Sequence, residues 1–104
     1  MIHQQQQGDV LLKRVDKLPN GAKEVERKNG KVVVMHGESG HTHIISDVDA
    51  MFYEKDGKSY LVATKPVTLT HEEHHAQTIE TGIWEVIQVR EKDWLSGLVR
   101  KVID

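Results

Sequence analysis

The placement of turn-forming pairs constrains this fold more than any other feature of the sequence. Leu18-Pro19-Asn20-Gly21, Asn29-Gly30 and Asp56-Gly57 interrupt runs of β-prone residues. Asn-Gly or Asp-Gly between such runs is the strongest short-range hairpin signal, because the tightest hairpin turns need positive φ at both central residues. Reading outward from these turns predicts strands near 9–15, 22–28, 31–36, 41–46, 50–55, 58–64, 67–70, 76–80 and 83–90. They recur about every nine or ten residues, the spacing of a small antiparallel barrel or sandwich. The chain has 104 residues, 38% of them hydrophobic, which is material for one core that folds without covalent staples. The expectation is a mainly β protein with a single domain over residues 9–104.

The two ends break this rhythm. Gln4-Gln5-Gln6-Gln7 offers nothing apolar to bury, so residues 1–8 are read as a flexible tail or a strand extension. Near the other end, Trp94, Leu95, Leu98, Val99, Val102 and Ile103 recur at helical spacing behind Asp93 as an N-cap. A short C-terminal helix is expected there, closing one end of the β domain or, alternatively, forming a homodimer interface. No apolar run approaches the roughly 18 residues of a spanning helix and no leader is recognised, so the expected setting is soluble and cytoplasmic, with no membrane partner.

Chemistry is narrowed first by what is missing. With no cysteine, thiolate metal sites and Cys nucleophiles are excluded, and any metal must be held by histidine and carboxylate. Charge narrows it further: residues 36–85 carry three Lys/Arg against nine acids and hold six of the seven histidines. An acidic, imidazole-rich segment suits cations and argues against nucleic acid, which needs a basic surface. Within it, His41 and His43 are separated by one residue on an expected strand, so both side chains face one volume. The second group, His71-Glu72-Glu73-His74-His75, adds three imidazoles and two carboxylates. Together these groups predict a divalent transition metal (Zn, Fe, Mn or Ni) held by His41, His43, His71 and His74, with Glu72 and Glu73 as proton-moving carboxylates. His36 reads as a strand-end residue, and the place of His75 stays open.

His41-x-His43, followed after 22 residues by Pro66-x-Thr68-x-x-His71-x-x-x-His75, resembles the two metal motifs of the cupins. These are small β-barrels that bind metal with H-x-H and a later histidine. The resemblance implies an acid beyond His43, which falls on Asp47; Thr68 stands where cupins carry glycine and His75 where they carry asparagine. The segments Gly37 to His43, Leu69 to His74 and Gly82 to Val86 also resemble a group of short, uncharacterised bacterial and phage-associated proteins. That likeness implies that His41, His43, His71 and His74 share one site.

Three functional readings follow. In the first, the metal serves an enzyme acting on a small oxygen-bearing ligand, by polarising it or activating water. In the second, the histidines form a non-catalytic module with a structural metal or a response to pH. In the third, His71-Glu72-Glu73-His74-His75 is an H-E-x-x-H zinc hydrolase motif on a helix, with Thr70 and Glu73 as its capping box. An open coordination position favours the enzyme, and four protein ligands favour the structural role.

Overall fold

The structure is a computed structural model that describes residues 2–36 and 42–89. It contains ten strands: β1 (Gln4–Gln7), β2 (Val10–Val15), β3 (Lys23–Val25), β4 (Val32–His36), β5 (Thr42–Ile45), β6 (Ala50–Lys55), β7 (Lys58–Ala63), β8 (Val67–Thr70), β9 (Gln77–Ile79) and β10 (Gly82–Gln88). Two antiparallel sheets result, one ordered β1-β2-β10-β7-β6-β3 and the other β4-β5-β8-β9. Each keeps its own edges, so the described residues form a sandwich of open sheets and not a closed barrel.

The turn chemistry acts as expected. Asn29 and Gly30 adopt φ of 54° and 77°, and Asp56 and Gly57 adopt 51° and 80°. Positive φ at both central residues is what a type I′ turn requires, and it lets β6 and β7 pair through Lys55 opposite Lys58. Alternation then selects the buried face: Val67 and Leu69 of β8 point inward while Thr68 and Thr70 are exposed. One core cluster joins both sheets, with Val10, Leu12, Phe52, Leu61, Trp84 and Val86 from the larger and Val32, Ile45, Leu69 and Ile79 from the smaller.

One open alternative is decided against the flexible tail over residues 1–8, and one expectation is corrected. Gln4–Gln7, read as a tail or a strand extension, is strand β1, paired with β2 from Gln4 opposite Lys13 to Gln7 opposite Val10. A polar run can hold this place because its side-chain amides bind backbone. Gln5 Nε2 donates to Thr78 O at 2.9 Å, and Gln7 Nε2 to Leu69 O and His75 O, each at 2.9 Å. Gln77 Nε2 returns a bond to Gln6 O at 2.7 Å. These bonds tie the edge of the six-stranded sheet to β8 and β9 of the other. The corrected expectation concerns His71-Glu72-Glu73-His74-His75. These residues form the connection between β8 and β9, so the helix that H-E-x-x-H requires is not formed.

The expected C-terminal helix and the dimer surface around Trp94 lie outside the described residues, as does His41. Among the described residues no helix is long and apolar enough to cross a membrane.

Trp84 sits at the centre of the larger sheet with no exposed surface. Its Nε1–H donates to Glu80 O at 3.0 Å, and the Arg14 guanidinium lies 4.3 Å from the ring centroid. Trp84→Ala is expected to cost about 3–5 kcal/mol, read as a lowered urea midpoint. A loss below about 1 kcal/mol would place the core elsewhere.

Candidate histidine site

The site forms where β5, the β8–β9 connection and the β1–β2 turn meet. Along β5 the burial alternates, and His43 and Ile45 take the inward positions. His43 is therefore fully buried. The β8–β9 connection brings two more imidazoles to it: ring centroids are 4.3 Å apart for His43 and His71, 4.5 Å for His71 and His74, and 6.3 Å for His43 and His74. His43 and His74 lie nearly parallel, at 12°. The two sequence groups thus meet in space through His43, His71 and His74.

The third contribution comes from the hairpin that joins β1 to β2. Gly8 and Asp9 form a two-residue loop between paired Gln7 and Val10, and Gly8 has a φ of 56°. Its positive φ favours glycine, and a Cβ there would displace the His74 imidazole at Nε2. On either side of Gly8, Gln7 and Asp9 reach His43. Gln7 Oε1 lies 2.8 Å from His43 Nδ1, and Asp9 Oδ1 lies 2.8 Å from His43 Nε2. Asp9 also accepts from Gln88 Nε2 at 3.4 Å, and its backbone carbonyl accepts from the Val89 N–H at 2.9 Å.

Electrostatics follow from burial and from these partners. Desolvation pushes the His43 imidazole below its ordinary range; the nearby His71 and His74 push the same way, against the upward pull of Asp9. Partial burial alone would push the Asp9 carboxyl up, but its hydrogen bonds to His43 and Gln88 and the charge of His43 outweigh that and leave it below the ordinary value. His43 therefore resists a second proton although both its nitrogens face oxygen atoms.

The other expected residues take distinct places. Glu72 and Glu73 are exposed on the β8–β9 connection, and the Glu73 N–H donates to His71 Nδ1 at 3.0 Å. His75 contributes its backbone carbonyl to Gln7. His36 pairs with Thr42, whose side chain alternates to the face opposite His43, so His36 stands apart. Asp47 accepts from the Thr68 N–H at 3.1 Å at the other end of β5, away from the imidazoles. Among the described residues no group of three or more His, Cys, Asp or Glu is already arranged to hold a metal ion. The donor types nonetheless suit one: imidazoles with a carboxylate fit zinc, iron, manganese or nickel.

Sequence reasoning missed Gln7 and Asp9. Gly8-Asp9 is itself a two-residue hairpin signal, and it would have revealed β1 had the glutamines before it been read as strand.

The chain belongs to the DUF8820 family, a domain of unknown function, whose family model matches residues 6–89. An uncharacterised family is what the sequence resemblance implied. The match spans Gln7, Asp9 and both histidine groups. No curated protein and no solved structure matches the chain.

The pKa directions set the acid response of the metal-free protein. A histidine with a folded value below its unfolded one withdraws stability as pH falls through about 6.5, because the unfolded chain then binds more protons. The depressed Asp9 adds a loss of the same sign, below about pH 4. The melting temperature is expected to decline between pH 7 and 5, as followed by circular dichroism; a rise across that interval would contradict the direction given for His43.

Proposed function

We propose that the site binds one divalent transition metal through His43, His71 and His74, with His41 as a further ligand from the sequence pattern. The observation that carries this reading is the convergence of imidazoles from β5 and from the β8–β9 connection on one volume. It agrees with the sequence resemblance to the cupin pattern of H-x-H and a later histidine, which supports the reading. The acidic surroundings favour a cation, and the exposure of His74, Glu72 and Glu73 gives a small oxygen-bearing ligand access from the loop side. Glu72 and Glu73 are then the carboxylates placed to move a proton if the site is catalytic.

A non-catalytic role is the second reading, and one observation favours it. Both ring nitrogens of His43 already have partners, as in a buried imidazole kept to order a core. In that case His43 holds β5 to the β1–β2 turn.

Calorimetric titration of the untagged full chain with zinc(II) separates the metal reading from a non-catalytic site without metal. The metal reading predicts one site per chain and loss of most of the affinity in His74→Ala, which lies on the exposed side and spares the core. It also predicts weakening by at least about tenfold from pH 7 to 5, because a protonated imidazole gives no lone pair to an ion. No saturable zinc site, or an affinity that stays level over that interval, would leave the non-catalytic reading standing.

A further inference from the structure

The hydrogen bonds around His43 define more than a buried side chain. Gln7 cannot be turned over, because its amide nitrogen donates to both Leu69 O and His75 O at 2.9 Å. An amide oxygen in that place would face two carbonyl oxygens. Oε1 is therefore the atom presented to His43 Nδ1, and an acceptor there requires Nδ1 to carry a hydrogen. In the neutral ring this leaves a lone pair on Nε2, and the atom facing it at 2.8 Å is a carboxylate oxygen of Asp9. Two lone-pair atoms at that distance need a positive centre between or beside them, which is a proton or a metal ion.

Resting on the metal reading above, we propose that Asp9 is a carboxylate ligand of the site and that Gln7 is the positioning residue that makes Nε2 the ligating atom of His43. Metal-binding histidines generally donate their second ring N–H to an oxygen that fixes tautomer and ring direction, and Gln7 Oε1 fills that role for His43. The Gly8 turn is what brings both groups to one ring. Gln7 and Asp9 flank a glycine whose missing side chain admits His74, so the β1–β2 turn places a carboxylate on His43 and its own backbone against His74. An oxygen among imidazole nitrogens matches first-row divalent metals and sets the site apart from the all-oxygen cages of calcium and magnesium.

The test uses the full chain and zinc(II). Calorimetry on Asp9→Asn is expected to show zinc binding weakened at least about tenfold, while His36→Ala, on the opposite face, stays within about twofold. Long-range nitrogen–proton NMR of the zinc-loaded wild-type protein reads the tautomer directly. The expected result is a hydrogen on His43 Nδ1 and a metal-shifted Nε2, a signature that a purely structural Gln7 would not produce. A folded Asp9→Asn protein that binds zinc as the wild type does overturns the assignment of Asp9, and zinc on His43 Nδ1 overturns that of Gln7. Should Asp9→Asn fail to fold, the wild-type spectrum decides alone: Nε2 free of metal overturns the proposal. Zinc binding lost altogether in the wild type removes the metal reading itself, an outcome distinct from zinc bound without Asp9.

Discussion

Gln7 is sealed from water at 1% exposure, so every hydrogen bond of its amide has to be met inside the fold. It meets them by joining three segments distant in sequence: Leu69 at the end of β8, His75 before β9, and His43 on β5. Leaving one such buried group unsatisfied costs about 1–3 kcal/mol, which makes an approximate arrangement of these segments unfavourable. The amide therefore fixes the height of β1 against the smaller sheet, the path of the β8–β9 connection and the orientation of the His43 ring together. The histidine site is a consequence of how the two sheets are closed at this edge.

This explains why a site with so much imidazole can lie against an apolar core. Val10, Ile45 and Leu69, each within two residues of Asp9, His43 or His71 along the chain, are all buried. A polar group next to them is tolerated only as part of a complete network. His43, Gln7 and Asp9 supply that network, and the exposed His74 and half-buried His71 carry it to the surface. The sheet edge is protected by the same means, since β1 is hydrogen-bonded to β9 through Gln5, Gln6 and Gln77.

Much of this architecture was legible in the residues alone. Asn29-Gly30 and Asp56-Gly57 announced their turns because positive φ is a local property, and alternation in β8 announced its buried face because period two is local as well. The meeting of His43 with His71 and His74 was expected from the shared facing of the H-x-H pair and the spacing of the two histidine motifs. Strand β1 was legible only as an alternative to a tail, because four glutamines carry no hydrophobic pattern and their value lies in long-range amide bonds that no local window records. Asp9 and Gln7 were missed for the same reason: 34 and 36 residues separate them from the ring they contact. The H-E-x-x-H reading failed because pairing of β8 with β9 claims the flanks of that motif, which leaves the histidines in a hairpin connection.

In the proposed reading, β1, its turn and the imidazoles form one ion-binding centre ordered by Gln7. Anomalous diffraction at the zinc edge, from crystals grown with one equivalent of zinc(II), tests it most directly. A single strong peak is expected about 2 Å from His43 Nε2 and from an Asp9 carboxylate oxygen, with His74 in the same shell. A peak confined to exposed histidines such as His36 or His75, with His43 still bonded only to Gln7 and Asp9, would contradict it.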